Sequence, residues 1–321
     1  MIPDFAEMYG IEATSELVRE LRAAHPSGIH LLRRNIETPD QVRELVRTLT
    51  RELGDGLDFA VRHEGGAVTP FVRGVTPFPG IEALEIAANP VLAREVGRAM
   101  GNELAAMGIT VNLISEGGPM AAEMAIGLRC VGIKVGVGAV VPDGAREPDE
   151  AEGIALAADV AREALRIGRD PLLLLPLASG SRTGLILPRL GDIADRIPIP
   201  VELRSTAAVL RPRIGASVGV LEVAIQPDDR AIGMAADWAQ AQGAAVFCCF
   251  DAQRFPGQRR LLDALVARCG RLVVVTIGNS ADADLAGARS TVVRTCGFQL
   301  CQLLAAADSI FESSVVTGKQ R

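Results

Sequence analysis

Hydrophobic and polar positions alternate along the first half of the chain in the manner of α/β proteins. Short apolar runs lie between segments whose apolar residues recur every three or four positions, such as 43–53 and 89–108. The short runs predict buried strands, and the periodic segments predict amphipathic helices. The predicted strands are 29–32, 57–61, 109–114 and 133–141. Strands and helices that alternate in this way favour a parallel sheet.

From about residue 179 the same alternation continues, with short joints marked by glycine or proline. Continuous apolar runs between amphipathic helices predict parallel strands that are covered on both faces, as in a doubly wound sheet. The runs are 183–189, 200–205, 218–225, 244–250, 271–279 and 290–296. Between the two halves, the segment 147–170 predicts a long helix, and the apolar run PLLLLPL (171–177) follows it.

The most informative segment is VRHEGGAVTPFVRGVTPFPG, residues 61–80. It continues a predicted strand, and its two adjacent glycines allow a tight turn with positive φ. Three motifs accompany the Glu-Gly-Gly turn in order along the chain: Arg34-Asn35-Ile36, Thr76-Pro77-Phe78-Pro79 and Gly101-Asn102-Glu103-Leu104. Together these motifs resemble the N-terminal domain of family-3 glycoside hydrolases, most closely the bacterial β-N-acetylhexosaminidases. Far downstream, RLVVVTIGNSADADL (271–285) is similar to a strand-Gly-Asn-Pro-x-Asp-Leu turn in the family's C-terminal domain, with Ser280 in place of the proline.

The resemblance implies a fold and a domain organisation. The family's N-terminal domain is a (β/α) barrel, and only about its first half fits before the predicted inter-domain helix. We therefore expect an α/β protein with an incomplete (β/α) barrel-like domain at 1–146, an inter-domain helix and linker at 147–178, and an α/β sandwich domain with a doubly wound parallel sheet at 179–321. Half a barrel leaves strand edges and apolar faces exposed, and soluble proteins cover such edges. The C-terminal domain or a second copy of the chain would provide the cover, and we expect a homodimer.

The chain departs from the family where the family performs its chemistry. Arg62 stands where the family has an aspartate that grips sugar hydroxyls, and Ala67 stands where it has an arginine that helps to hold the ring. The Lys-His-Phe-Pro-Gly-His-Gly run, the Asp-Ser-His loop and the Ser-Asp-Asp segment of the family have no counterpart. A retaining glycosidase needs a carboxylate nucleophile and an acid/base. The resemblance therefore implies a family member that has lost this activity.

Two Glu-Gly-Gly triplets supply candidate catalytic residues. Glu64 follows LDFAVRH and Glu116 follows ITVNLIS, and both lie at predicted strand ends. The carboxyl ends of parallel strands face one side, so the two carboxylates can project towards one pocket and divide acid and base roles. His63 is a third candidate, although it alternates with Glu64 and only one of the two faces inward. The alternative is that Glu64 caps its own turn and Glu116 is a solvated loop residue.

Three cations are candidate ligand-binding residues. Arg62 reverses the charge at the family's sugar-gripping position, and the resemblance weakly matches Arg129 and Lys134 to an arginine and a lysine of the family. Guanidinium groups bind carboxylates and phosphates through paired hydrogen bonds, so a cationic lining predicts a small anionic or sugar-like ligand. Equally, Arg62 can neutralise Glu64 or Glu116 in a structural ion pair.

Composition excludes several classes of function. A net charge of −6 and an isoelectric point near 5.3 give no electrostatic footprint for nucleic acid or anionic membranes. The N-terminus lacks the basic and apolar regions of a signal peptide, so we expect a cytoplasmic protein. The six cysteines have no paired CxxC spacing and predict buried thiols, and three histidines predict no metal site. We expect no cofactor.

Three hypotheses of function follow from the sequence. The first is a pseudoenzyme, descended from a family-3 hydrolase, that keeps a binding or assembly role. The second is a repurposed enzyme that uses Glu64 or His63 together with Glu116 on a small sugar-like metabolite. The third is a residual glycoside hydrolase whose catalytic carboxylates come from unrecognised positions or from a partner chain.

Overall fold

The computed structural model of the chain describes residues 5–115, 117–136, 144–178, 181–214 and 217–311. The chain divides into two compact units between Val160 and Ala161. Each unit contains one β-sheet, with four strands in the first and six in the second. The division falls inside a helix, and the two units are described separately below.

The sheet of the first unit is parallel throughout. Its strands are β1 (Phe5–Glu7), β2 (Gly28–His30), β3 (Asp58–Val61) and β4 (Val111–Asn112), and they lie in this order across the sheet. The α-helices are α1 (Ser15–Ala24), α2 (Pro39–Leu53), α3 (Ile81–Ala87), α4 (Pro90–Ala106), α5 (Pro119–Cys130) and α6 (Glu150–Ala164), which crosses the division. A 3-10 helix spans Arg33–Asn35. Among the described residues the sheet does not close into a barrel.

The strands expected in this unit need two corrections. The first strand, β1, was not predicted, because three residues are too few to give a periodic signal. Its pairing with β2 depends on Phe5, whose ring lies where a side chain on Gly28 would otherwise be. The expected strand 133–141 contributes only a bridge between Lys134 and Val111. Residues 137–141 lie outside the described residues.

Strand register gives the first sheet one apolar face and one polar face. Glu7, His30, Ala60, Val111 and Lys134 are aligned as neighbours across the sheet, so their side chains share a face. Asp58 and Arg62, two residues to either side of Ala60, lie on this same face. We call it the polar face, defined by Glu7, His30, Asp58, Arg62 and Lys134.

The opposite face carries Ile29, Phe59 and Val61, which are buried, and it belongs to the core of the first unit. The polar face is different, because the side chains of Glu7 and Lys134 at its two sides are more than half exposed. Charged side chains are exposed at these positions, while the apolar residues Ala60 and Val111 of the same row are buried, and the exposed apolar face expected of an incomplete barrel stays a prediction. The homodimer expected to cover such a face stays a prediction.

Helices α4 and α5 cross at two glycines. A Cβ on Gly97 would collide with the carbonyl oxygen of Met124, and one on Gly127 would collide with the carbonyl oxygen of Arg94. The two backbones are therefore in direct contact. Since neither backbone can move without disturbing its own helical hydrogen bonds, these positions do not tolerate a side chain.

The second unit contains a six-stranded sheet in the order β5-β10-β9-β8-β6-β7. The strands are β5 (Arg166–Arg169), β6 (Thr183–Pro188), β7 (Val218–Val223), β8 (Ala244–Cys249), β9 (Leu272–Thr276) and β10 (Thr291–Arg294). The α-helices are α7 (Thr206–Ile214), α8 (Asp229–Gln240), α9 (Pro256–Arg268) and α10 (Leu300–Ile310). Three 3-10 helices span Leu190–Ile193, Val201–Ser205 and Ser280–Leu285. Separate apolar clusters lie on the two faces of the sheet, which confirms a parallel α/β sheet with cover on both sides.

Two predictions fail in this unit, each for a local reason. Residues 166–169 were expected at the end of a helix, but they form β5, the antiparallel edge strand. Arg169 fixes this strand, because its guanidinium donates to the carbonyl oxygens of Ser290 and Gly287. Residues 200–205 were expected as a strand and form a 3-10 helix that leads into α7. The alternation of Val201 and Leu203 predicted a strand with both side chains on one buried face. In the structure Leu203 is buried, but Val201 is 45% exposed.

We expect Gly97→Ala and Gly127→Ala each to lower the free energy of unfolding by about 1–3 kcal/mol, because overpacking forces two helix backbones apart. Gly233→Ala is the control. Gly233 lies inside α8 with nothing within 4 Å of a new Cβ, so alanine there should stabilise the chain by about 0.5–1 kcal/mol. Denaturant unfolding of the three variants measures both signs. Equal effects of Gly127→Ala and Gly233→Ala would contradict the close crossing.

Candidate functional site

The candidate site begins where β3 ends and the chain turns back over the sheet. Gly65 and Gly66 follow with φ of +75° and +55°, and the amide of Gly66 donates to the carbonyl oxygen of Phe78 at 2.8 Å. A Cβ on Gly65 would collide with the carbonyl oxygen of Pro79. The Glu-Gly-Gly turn is therefore held against residues 78–79, and glycine is required for both the φ angle and the close approach.

Glu64 is the centre of a small charged network. Its side chain is 10% exposed, and Oε1 lies 3.0 Å from two guanidinium nitrogens of Arg62. The same oxygen accepts hydrogen bonds from the Ser115 amide at 3.0 Å and the Ser115 hydroxyl at 2.9 Å. Arg62 also donates to the Ser115 hydroxyl at 3.2 Å. The structure therefore brings Arg62 and Glu64 together as an ion pair, which was one of the two interpretations of Arg62.

His63 lies on the other side of the strand, away from this network. Its imidazole is buried and meets Phe71 edge to face, with ring centroids 5.4 Å apart. Its backbone amide and carbonyl are both bound by the side-chain amide of Asn112, at 2.9 Å each. Neither ring nitrogen has a hydrogen-bond partner of normal geometry among the described residues. Burial lowers the pKa of His63 to about 4, against a smaller opposing effect of the Val68 backbone.

A buried imidazole of this kind stays neutral near pH 7 and cannot exchange protons with a ligand at the surface. The geometry therefore gives His63 a packing role, and it does not place the ring beside the Glu64 carboxylate. Only Glu64 of the two faces the polar side, as the alternation along the strand predicts.

The other predicted cations lie apart from Arg62. Lys134 forms an ion pair with Asp58, with its ammonium nitrogen 2.7 and 2.8 Å from the two carboxylate oxygens. Asp58 begins β3 and Arg62 follows its end, so the ammonium group of Lys134 is directed towards the opposite end of this strand from Arg62. Arg129, at the end of α5, donates two hydrogen bonds to the carbonyl oxygen of Val135. The structure does not bring Lys134 and Arg62 into one cationic lining.

The second candidate carboxylate, Glu116, lies outside the described residues. Its neighbour Ser115 is described, and sequence reasoning missed it although it contacts both Arg62 and Glu64. The available signal was its place directly before the second Glu-Gly-Gly triplet. Asn112 was also missed, and the signal for it was a polar residue inside the apolar run of a predicted strand.

Two of the matched motifs hold the scaffold of the first unit. Asn35 is fully buried, and its side-chain amide donates to the carbonyl oxygens of Met8 and Gly10. Glu103 accepts hydrogen bonds from the amide and the hydroxyl of Thr76, and so ties α4 to the Thr-Pro-Phe-Pro turn. Burial raises the pKa of Glu103, and nearby Glu150 raises it further. These contacts support the fold around the site without reaching the end of β3.

The second unit has its own topological position for a ligand. Strand β7 lies on one side of β6 and β8 on the other, and ligands of doubly wound sheets bind outside the carboxyl ends at such a switch point. Pairing of β6 with β8 ends at Ile186 and Phe247. Beyond it, the buried amide of Gln258 accepts from the Phe250 amide and donates to the Ile225 carbonyl oxygen. This side chain fills the place that a ligand would need.

Among the described residues, no three His, Cys, Asp or Glu side chains are grouped in a way that could hold a metal ion. No helix in the described part of the chain is long and apolar enough to cross a membrane.

The sequence of the first unit is similar to that of known proteins. Residues 5–114 match the sequence profile of the glycosyl hydrolase family 3 N-terminal domain. A β-hexosaminidase of Idiomarina loihiensis is 32% identical over 110 residues, which is 33% of this chain and 33% of that protein. A β-hexosaminidase of Neisseria meningitidis is 32% identical over 117 residues, which is 34% of this chain and 32% of that protein. The matched part thus spans about a third of each of these relatives.

Comparison with solved structures extends the likeness of fold to both units. A family 3 β-N-acetylglucosaminidase from Paenibacillus superposes with a TM-score of 0.81 at 15% identity, covering 94% of each chain. A fungal multi-domain family 3 β-N-acetylglucosaminidase superposes with a TM-score of 0.73 at 13% identity, covering 95% of this chain and 58% of that one. At these identities the likeness concerns the fold alone.

The pKa of His63 predicts how stability changes with pH. The unfolded chain binds a proton near pH 6.5 and the folded chain only near pH 4, so this contribution is complete above pH 6.5 and is lost as the pH falls towards 4. His63→Gln removes it. We expect the difference in free energy of unfolding between wild type and this variant to change by about 3 kcal/mol between pH 7 and pH 4, measured by denaturant unfolding. His25→Asn, at an exposed histidine, is the control variant.

Proposed function

We propose that this chain, whose residues 5–114 match the sequence profile of the glycosyl hydrolase family 3 N-terminal domain, is a member of that family that no longer cleaves glycosides and keeps a role in binding a small sugar-like or anionic ligand. The observation that carries the proposal is the ion pair of Glu64 with Arg62. It occupies the strand end that in the family grips the sugar, and the charge there is reversed.

The bonding of Glu64 is unsuited to catalysis. A nucleophile needs a carboxylate oxygen free to attack, and a general acid needs to hold a proton until the leaving group accepts it. Oε1 of Glu64 already faces two guanidinium nitrogens, an amide and a hydroxyl. All of these groups contact the same oxygen and hold the carboxylate in one orientation. Glu64 therefore fits a structural ion-pair partner better than an acid/base.

The repurposed-enzyme hypothesis has less support. It requires Glu64 or His63 to work with Glu116. His63 is buried on the other side of β3, and Glu64 is engaged by Arg62 and Ser115. A residual glycosidase would need both carboxylates from other positions.

The guanidinium of Arg62 supports the binding half of the proposal. Its side chain is 56% exposed although it contacts Glu64, so part of the group faces solvent at the carboxyl edge of the sheet. An anion there would share Arg62 with Glu64, in the way that arginine commonly bridges two acidic groups. This favours a ligand with a phosphate or carboxylate over a neutral sugar.

We expect the purified protein not to hydrolyse aryl N-acetyl-β-glucosaminides, because no carboxylate occupies the sequence context of the family's nucleophile. The rate of release of the aryl group measures hydrolysis. Buffer is the negative control, and the Idiomarina loihiensis β-hexosaminidase is the positive control. Turnover of roughly 1 per second or more would contradict the proposal. If turnover is seen, Glu64→Gln and Glu116→Gln show whether either carboxylate is responsible.

We expect Arg62→Asp to weaken anion binding by about 1.5–3 kcal/mol, because it deletes a charge-assisted hydrogen bond and adds repulsion. Calorimetric titration with inorganic phosphate, N-acetylglucosamine 6-phosphate and N-acetylglucosamine measures the affinity and the preference for charge. Arg94→Asp is the matched control, since Arg94 is also an exposed arginine paired with a half-buried glutamate, Glu123. Equal affinities in the wild type and the Arg62 variant would leave Arg62 with a structural role only.

A further inference from the structure

Tyr9 is an exposed aromatic residue at the edge of the sheet that carries Arg62. It is the only tyrosine of the chain, and 83% of its surface is exposed. It follows β1 by two residues, and the intervening Met8 is buried. This alternation directs Tyr9 to the same side as Glu7, which is the polar face.

The Tyr9 ring is held in place by its surroundings. The guanidinium of Arg34 lies 4.9 Å from the ring centroid and can make a cation–π contact. Arg34 is itself fixed by Glu7 at 2.7 Å and by the carbonyl oxygen of Met8 at 3.2 Å. The buried amide of Asn35 binds the backbone on both sides of Tyr9. The ring is thus an ordered surface, with little conformational entropy to lose when a ligand packs on it.

Tyr9 and Arg62 follow the carboxyl ends of β1 and β3 at equivalent distances from the aligned row of residues. Glu7, His30 and Ala60 are register partners, and each of the two residues lies two positions beyond this row. Neighbouring strands are about 4.8 Å apart, so β1 and β3 are about 10 Å apart. A hexose ring on Tyr9 would place a substituent within reach of the long Arg62 side chain.

We propose that Tyr9 is a stacking platform for a pyranose ring whose anionic substituent pairs with Arg62, so that the ligand is a sugar phosphate or sugar acid. The C–H bonds on one face of a pyranose are weakly positive and pack on the negative face of an aromatic ring. Both arginines are paired with a glutamate, but Arg34 also donates to the carbonyl oxygen of Met8 and is 41% exposed, against 56% for Arg62, so we assign the anionic group to Arg62. This inference rests on the binding role proposed above.

Since Tyr9 is the only tyrosine, 3-fluorotyrosine labelling places one fluorine reporter on this ring. We expect N-acetylglucosamine 6-phosphate to shift its 19F resonance in a saturable way, and inorganic phosphate to leave it nearly unchanged. By calorimetry, Tyr9→Ala should weaken the sugar phosphate about 3- to 10-fold, and Tyr9→Phe should keep most of the affinity. Inorganic phosphate should bind both variants as it binds the wild type.

Val91→Ala is the control, because Val91 is another exposed apolar residue, at the start of α4. If the sugar phosphate binds but Tyr9→Ala keeps full affinity, the platform is wrong and the proposed binding role stands. An equal loss for inorganic phosphate in Tyr9→Ala would also overturn stacking, because the residue would then act through the anion site. If no probe binds the wild type at up to about 10 mM, the binding half of the proposed function fails together with this inference.

Discussion

The carboxylate of Glu64 is nearly buried, and the local structure at the end of β3 depends on its being neutralised. An ionised carboxylate with so little access to water is costly unless cations and donors surround it. Arg62 supplies the charge and Ser115 supplies two donors from the segment after β4. This network joins the ends of two neighbouring strands. The arginine that departs from the family pattern is therefore integral to the fold around the site.

The motifs that carry the resemblance to the family hold the backbone of the first unit in place. The glycines of the Glu-Gly-Gly turn are required by φ and by contact with residues 78–79. Asn35 fixes the segment after β1, and Glu103 holds the turn at Thr76. Such buried polar contacts are expensive to lose one at a time, since each would leave an unsatisfied group.

The sequence predicted long, strongly apolar elements well and short ones poorly. β6, β8 and β9 lie within predicted apolar runs, because continuous burial leaves an unambiguous pattern. β1 and β5 were missed, since β1 is three residues long, whereas β5 is largely exposed and is held by hydrogen bonds from its own Arg169 to the carbonyl oxygens of Gly287 and Ser290. At the site, the alternation of His63 and Glu64 was predictable. Ser115 and Asn112 were not, because their roles depend on which strand ends become neighbours.

The carboxyl ends of the strands differ between the two sheets. A buried side chain occupies them in the second unit, and exposed side chains lie there in the first. In the second unit a buried glutamine spans the switch point and uses both ends of its amide on backbone groups. A ligand there would have to displace Gln258 and leave those groups without partners. In the first unit, Tyr9 and Arg62 at the corresponding edge are exposed and already held in place. A ligand that contacts the exposed parts of Tyr9 and Arg62 would break no buried hydrogen bond. We therefore expect a smaller free-energy cost for binding there than for displacing Gln258.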